Sequence, residues 1–320
     1  MALIDANNRF SGTYADLQTA DAEVFRGIEA LVTDPMIEGY SFPDKQKTVL
    51  FSGKVAVGSD VVDWKLELPE HLRYPGVVGI SPGYLAIENT SRPLREALAQ
   101  QGVATFSYDP ARKDSWWLSM CDPQALHAAT QEAIFADLKE RTDIKNGPNG
   151  DRLDLERRIL LAHSMGGFAA TMFAKMQPGT IEFIYGCATT GFGHPTIPEL
   201  THDIPLGMIS GIKHELLPTL FSGNISVNIK TAKEFINYYR HMRVVFEGLS
   251  CVFQDTREDV ALLSDLGIDY HYEAYEHDIL VRADESVADH VKSHKIIPKA
   301  GHLHPQKRPE RVAERIIALV

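Results

Sequence analysis

One serine of the sequence, Ser164, lies in a context that favours nucleophilic chemistry. The apolar run 159–162 leads into it, and a helix-forming segment, residues 168–176, follows it almost at once. This order predicts a strand, a sharp turn and a helix. Such a turn closes only if the residues beside its centre are small. The sequence meets this need with Ala162, Gly166 and Gly167. The helix would direct unpaired N–H groups and the positive end of its dipole at the serine, where both stabilise an anion on a bound acyl group.

The segment Ala162-His163-Ser164-Met165-Gly166 resembles the nucleophile elbow of the α/β-hydrolase family, which reads G-x-S-x-G. Alanine replaces the first glycine and adds only a methyl group. The resemblance covers about residues 47–320 apart from one insertion. It implies the α/β-hydrolase fold, with a mostly parallel central sheet, helices on both faces and an inserted, mainly helical cap. The alternative is an ordinary strand-to-helix turn in which the serine only caps the helix.

A serine hydroxyl is a weak nucleophile at neutral pH, so it needs a general base that a third group orients. Residues 296–302 end a strand-like run with small residues and a histidine, and they resemble the histidine loop of the family. The resemblance makes His302 the expected base. His304, two residues later, is the alternative, and either histidine could instead be a solvent-exposed loop residue.

The orienting acid has three candidates in the sequence. Asp278 follows the strand-like run 268–275 in a segment that is similar to the Asp-x-x-Val loop of the family. Asp255 precedes a predicted helix start, where capping would explain it without catalysis. Glu276 is the third candidate. We expect Asp278, because it preserves the family's chain order of serine, acid and histidine.

The oxyanion formed during acyl transfer needs two hydrogen-bond donors. In the family one of them is the backbone N–H of the residue after the nucleophile, here Met165. The segment Ser81-Pro82-Gly83-Tyr84-Leu85 resembles the family's His-Gly-x turn, with Pro82 in the histidine position. Tyr84 is therefore the expected second donor, and Leu85 is the alternative.

An inserted segment, residues 190–255, interrupts the alternation of strands and helices, and similar hydrolases carry a cap at this point. Its first half is strongly apolar, but its prolines and glycines disfavour one regular helix. We expect its apolar side chains to cover the elbow and to line an acyl pocket, although they could instead only pack the cap onto the sheet. The residues expected to contact the substrate are His163, Leu85, Leu217 and Phe221.

The composition is that of a globular protein and argues against several kinds of partner. With 320 residues, of which 44% are hydrophobic, the chain can bury a sizeable core. Its formal charge of −11 disfavours nucleic acid. Residues 1–7 lack the features of a signal peptide, and no apolar run approaches the length of a membrane span, so we expect a cytoplasmic protein without membrane contact. Cys121, Cys187 and Cys251 lack metal-ligand spacing, so we expect reduced thiols, no metal and no cofactor.

The pattern of predicted elements divides the chain into three parts. Residues 1–45 are expected to form an N-terminal extension. Residues 46–189 and 256–320 form the α/β-hydrolase core, in which two antiparallel strands precede alternating strands and helices. Residues 190–255 form the cap insertion.

Three predicted helices of the core have boundaries that a structure can test. One helix is expected to begin near Pro93, because proline favours the first turn. A second is expected over residues 284–291. The last is expected over residues 309–320, with Val320 facing inward.

These residues predict a serine hydrolase that cleaves a carboxylic ester of a small, largely apolar substrate. Hydrolysis of a C–C, thioester or amide bond, or acyl transfer, would use the same triad and is the alternative within enzymes. Family members that act on epoxides or haloalkanes have aspartate at the elbow, so Ser164 argues against those activities. A non-catalytic ligand-binding protein on this scaffold is the alternative from another class. A small molecule is the expected partner, and the sequence does not indicate an oligomeric state.

Overall fold

The computed structural model describes residues 46–58, 60–83, 88–109, 123–145, 150, 152–192, 255–278, 281 and 285–320. All of them belong to one unit, Gln46–Val320. The predicted N-terminal extension lies outside the described residues, as does nearly all of the predicted cap.

Eight strands of the described residues form one sheet, in the order β1-β2-β4-β3-β5-β6-β7-β8. The strands are β1 Thr48–Val57, β2 Asp60–Pro69, β3 Tyr74–Ser81, β4 Val103–Tyr108, β5 Arg158–His163, β6 Ile181–Cys187, β7 Asp269–Tyr275 and β8 Ser293–Ile297. Strands β1 and β2 pair antiparallel, and β2 also pairs antiparallel with β4. All pairs from β4 to β8 are parallel. The predicted mostly parallel sheet is confirmed.

The central strands are buried on both faces, which explains their nearly continuous apolar sequences. Every residue of β4 and of β5 is buried. Successive residues of a strand point to opposite faces, so Leu160 and Ala162 belong to one core cluster, whereas Ile159 and Leu161 belong to the other. The sheet therefore separates two hydrophobic cores.

Helices cover both faces of the sheet. They are α1 Glu88–Gln100, α2 Pro123–Glu140, α3 Thr142–Lys145, α4 Gly166–Met176, α5 Arg257–Asp265, α6 His304–Lys307 and α7 Pro309–Ile317, with a 3₁₀ helix over Glu285–Asp289. Helices α1 and α7 pack together over one core. Helices α2, α4 and α5 pack over the other. None of the helices in the described part of the chain is long and apolar enough to cross a membrane.

The structure corrects three helix predictions. Helix α1 begins at Glu88, so Pro93 lies inside the helix, and the added residues include the buried Ser91. The described residues of the range 284–291 contain a 3₁₀ helix in which Val287 is the buried residue, and one buried apolar side chain does not support a longer amphipathic helix. Helix α7 ends at Ile317, and the side chain of Val320 beyond it is 48% exposed rather than inward.

Candidate active site

Ser164 occupies a sharp turn between β5 and α4. Its φ angle of 53° lies in the left-handed region, where a residue with a Cβ is strained. Backbone hydrogen bonds hold the turn: the Ser164 N–H donates to the Cys187 carbonyl at 3.1 Å, and the Ser164 carbonyl accepts the N–H groups of Gly167 at 3.1 Å and Thr190 at 3.2 Å. A Cβ at Gly166 would lie 2.3 Å from the Ser81 carbonyl oxygen, so this position accepts only glycine. The local geometry is that of the predicted elbow.

His302 and Asp278 form a buried pair at the same edge of the sheet. Asp278 follows the end of β7, and His302 follows the end of β8. The carboxyl ends of parallel strands meet at one edge, where Ser164 also lies after β5. The distance between His302 Nδ1 and Asp278 Oδ2 is 2.7 Å, and the Asp278 side chain is fully buried. The second carboxylate oxygen, Oδ1, accepts the Val281 N–H at 2.9 Å.

The pair fixes the tautomer of His302. A carboxylate only accepts hydrogen bonds, so Nδ1 carries the proton and Nε2 is the basic nitrogen of the neutral imidazole. That arrangement suits a general base.

The rival candidates lie in other contacts. Asp255 binds the Arg257 backbone and guanidinium within its own loop. Glu276 accepts the Lys299 N–H at 2.8 Å. The His304 ring packs on Tyr275 with 5.1 Å between centroids, and burial lowers the pKa of His304 to about 4. Among the described candidates, the acid that His302 contacts is Asp278.

His163, the residue before the serine, joins the elbow to the segment that carries His302. Its Nε2 lies 2.9 Å from the His302 carbonyl oxygen, and the two ring centroids are 4.7 Å apart. Gln306 Nε2 lies 3.4 Å from the other ring nitrogen, Nδ1. Burial, and then the adjacent His302, lower the pKa of His163 to about 3. The imidazole is thus neutral and nearly enclosed, and its predicted contact with substrate stays a prediction.

The loop after β3 passes directly against the elbow. A Cβ at Gly83 would lie 3.0 Å from both the His163 carbonyl oxygen and Ser164 Cβ. Met165, one predicted oxyanion donor, is the buried residue between Ser164 and α4. Tyr84 and Leu85 lie outside the described residues, as do the predicted cap contacts Leu217 and Phe221. Their roles stay predictions.

A buried polar group at the end of β3 was not predicted from the sequence. Gln131 of α2 donates from Nε2 to Ser81 Oγ at 2.5 Å and to Tyr108 Oη at 3.2 Å, and all three side chains are buried. Ser81 is the residue whose carbonyl faces Gly166. The available signal is that Gln131 interrupts an apolar stripe of α2 at helical spacing with Ala128, Phe135 and Leu138.

A second buried polar group, on β7, was also missed. The Glu273 carboxylate accepts hydrogen bonds from Tyr185 Oη and Tyr275 Oη, both at 2.6 Å. It also pairs with the Arg315 guanidinium at 2.6 Å. Burial by itself would lower the pKa of Arg315, but the adjacent carboxylate raises it. This pair fastens α7 to the sheet. The signal was an acidic residue within the buried strand β7.

Solved structures with this fold include several kinds of hydrolase. The chain is 12% identical to the 2-hydroxy-6-oxo-6-phenylhexa-2,4-dienoate hydrolase from Rhodococcus sp. strain RHA1, with a TM-score of 0.61 over 85% of this chain and 99% of that one. It is 17% identical to an esterase from Thermogutta terrifontis, with a TM-score of 0.55 over 84% and 97%. It is 14% identical to a proline iminopeptidase from Mycobacterium smegmatis, with a TM-score of 0.57 over 84% and 97%. At these identities the likeness shows the fold alone.

No curated protein sequence matches the chain. A family model, described as the alpha/beta hydrolase family, matches residues 75–315, well over half of the 320 residues. The matched range includes the elbow, the buried acid and the histidine described above. The chain belongs to the α/β-hydrolase family.

Proposed function

We propose that this protein is a serine hydrolase that cleaves a carboxylic ester of a small, largely apolar substrate. Ser164 is the nucleophile, His302 the general base and Asp278 the acid that orients it. The observation that carries the proposal is the 2.7 Å hydrogen bond between buried Asp278 and His302 Nδ1, because it makes Nε2 the basic nitrogen of an imidazole at the sheet edge that also holds the strained Ser164.

The reaction follows from these roles. His302 Nε2 takes the proton of Ser164 Oγ as the oxygen attacks the ester carbonyl carbon. The Met165 N–H and a second donor from residues 84–85 stabilise the oxyanion. The imidazolium then protonates the departing alcohol, and the carbon–oxygen bond of the ester breaks. Water, activated by the same base, releases the acid from the acyl-enzyme.

The expected pocket favours a substrate with an apolar acyl chain, and an ester is the acyl bond that we propose. The apolar residues of the predicted cap, among them Leu217 and Phe221, would surround an acyl chain and offer little to a charged substrate. Each buried methylene contributes about 0.8 kcal/mol, so kcat/KM is expected to rise several-fold for each added pair of acyl carbons until the pocket is full.

The test is a series of p-nitrophenyl esters from acetate upward, with a matched thioester and anilide. A fluorophosphonate probe should label wild-type protein at Ser164, and Ser164→Ala should neither be labelled nor turn over. Alanine keeps the Cβ at the strained φ and loses only a functional hydroxyl, so the thermal midpoint of this variant should be nearly unchanged or raised. Folded wild-type protein that is not labelled would support a ligand-binding protein instead. Turnover of only the thioester or anilide would replace the ester assignment.

The cap is tested by Leu217→Asp in the same ester series. A charge in the pocket should abolish the gain with acyl length. An unchanged chain-length profile would assign the cap a purely structural role.

A further inference from the structure

The nucleophile and the general base of the proposed triad follow strands that are not neighbours in the sheet. Ser164 follows β5 and His302 follows β8, and the sheet order places β6 and β7 between them. Neighbouring strands lie about 4.8 Å apart, so the two strand ends are separated by roughly 14 Å. The histidine loop, residues 298–303, must therefore cross back over two strands before His302 can face the elbow. The ladder of backbone hydrogen bonds in the sheet does not hold the loop in this crossing.

A backbone hydrogen bond from the His277 N–H to the Ala300 carbonyl, at 2.9 Å, holds the loop beside the end of β7. Two side-chain contacts act on His302 itself, and they differ in the part of the residue that they bind. Asp278 binds the His302 ring through Nδ1 and so sets its orientation. His163 binds the His302 main chain through the carbonyl oxygen at 2.9 Å, and its ring packs on the His302 ring. We propose that His163 is a positioning residue, which ties the histidine loop to the nucleophile elbow and so sets the distance between His302 and Ser164. This inference rests on the function proposed above.

A single tautomer of His163 satisfies the hydrogen bonds of both its ring nitrogens. A carbonyl oxygen only accepts, so His163 Nε2 carries the proton and Nδ1 is the acceptor. Gln306 Nε2, at 3.4 Å from Nδ1, is a donor in the matching position. Gln306 lies on α6, the helix that follows the histidine loop. The one imidazole therefore contacts the loop and the start of the next helix.

The neutral state of the His163 imidazole suits its proposed positioning role. The charged or titratable groups that act on it are His302 and Asp278, and burial disfavours its protonation. A protonated His163 would lie against His302, which must itself take up a proton in each catalytic cycle. A neutral donor holds the loop without opposing that step.

The test compares kcat and KM for His163→Leu and His163→Gln, with active sites counted by the extent of fluorophosphonate labelling. A glutamine amide N–H reaches about as far as Nε2 of histidine, whereas leucine has no donor. We expect His163→Leu to lose about 10- to 100-fold in kcat with little change in KM, because a misplaced general base slows the chemical step without weakening substrate binding. His163→Gln should recover most of that loss.

The matched control is His271→Leu, another buried histidine, which hydrogen-bonds Ser293 Oγ at 2.8 Å. It lies at the far end of β7 from Asp278, so it should lower the thermal midpoint but not the kcat per labelled site. If His163→Leu fails to fold, His163→Asn takes its place, because the shorter amide does not reach the carbonyl.

Three results would overturn the inference. The first is wild-type kcat per labelled site in both His163→Leu and His163→Asn. The second is a rise in KM at constant kcat, which would make His163 a substrate contact. The third is an equal loss in His163→Gln and His163→Leu at the same thermal midpoint, which would assign the effect to the imidazole itself. A wild-type protein that is neither labelled nor active would instead remove the proposed function, and the inference with it.

Discussion

Two buried acids lie five residues apart on and just after β7, and they differ in the partner that balances their charge. Glu273 faces Arg315, which stays charged at every accessible pH, and two tyrosine hydroxyls complete its hydrogen bonds. Asp278 faces His302, whose imidazole, unlike a guanidinium, can take up and release a proton. Both side chains are fully buried. A buried carboxylate therefore holds α7 on the sheet at one position and belongs to the proposed catalytic triad at the other.

The comparison shows that burial of an acid does not by itself identify a reactive site. A fully satisfied pair with a fixed cation has no free lone pair or proton to offer a substrate. A carboxylate–imidazole pair can take up and release a proton during a reaction. We expect a substitution of Asp278 to lower activity and a substitution of Glu273 to lower stability.

The largest expected effect is the loss of activity in Asp278→Asn. An asparagine amide can favour the wrong tautomer of His302, so kcat should fall by about 10⁴-fold while the thermal midpoint changes little. The measurement is steady-state hydrolysis of the best p-nitrophenyl ester. Asp255→Asn is the control and should stay near wild type. The reverse ranking would move the acid to Asp255.

A smaller effect, on stability rather than activity, is expected for Glu273→Gln. The change leaves the mostly buried Arg315 without its counter-ion, and breaking one partner of such a pair costs about 3 kcal/mol. Chemical denaturation measures the loss, and kcat per labelled site should remain within a few-fold of wild type. Glu276→Gln, an exposed neighbour, should cost much less. A large drop in kcat at unchanged stability would give Glu273 a catalytic role and end the contrast.

The smallest expected effect is a dependence of stability on pH that belongs to His163. Its pKa is lowered from 6.5 to about 3 by burial, so between those values the unfolded chain binds the extra proton. The contribution of His163 to the free energy of unfolding is therefore present in full above pH 6.5 and is lost on acidification. The linkage amounts to roughly 2 kcal/mol between pH 7 and pH 5.

The measurement for this pH dependence is the free energy of unfolding of wild type and His163→Gln at both pH values. The variant should lose about 2 kcal/mol less than wild type on acidification. His304, whose pKa is also low, is present in both proteins and cancels in the difference. Equal losses in the two proteins would show that His163 is not buried in a neutral state.

Much of the fold and part of the site followed from short stretches of sequence. Two antiparallel strands, β1 and β2, precede the parallel strands as predicted, and the elbow around Ser164 has the predicted strand, turn and helix. Residues near in sequence set these features, because backbone sterics and apolar periodicity act over a few positions. Helix ends were less predictable, as Pro93 and Val320 show, because packing decides where a helix stops.

The sequence by itself determined the strained turn, the parallel order of the sheet and the chain order of Ser164, Asp278 and His302. Only the tertiary structure decided which side chains meet. It paired His163 with the carbonyl of a residue 139 positions away, placed Gln131 against Ser81 at the end of β3, and chose Asp278 over Asp255 as the partner of His302. Such contacts join segments that are remote in sequence, and the chain contains many histidines, glutamines and aspartates with the same local preferences. Their selection depends on which surfaces the packed sheet and helices bring together, and no local pattern encodes that.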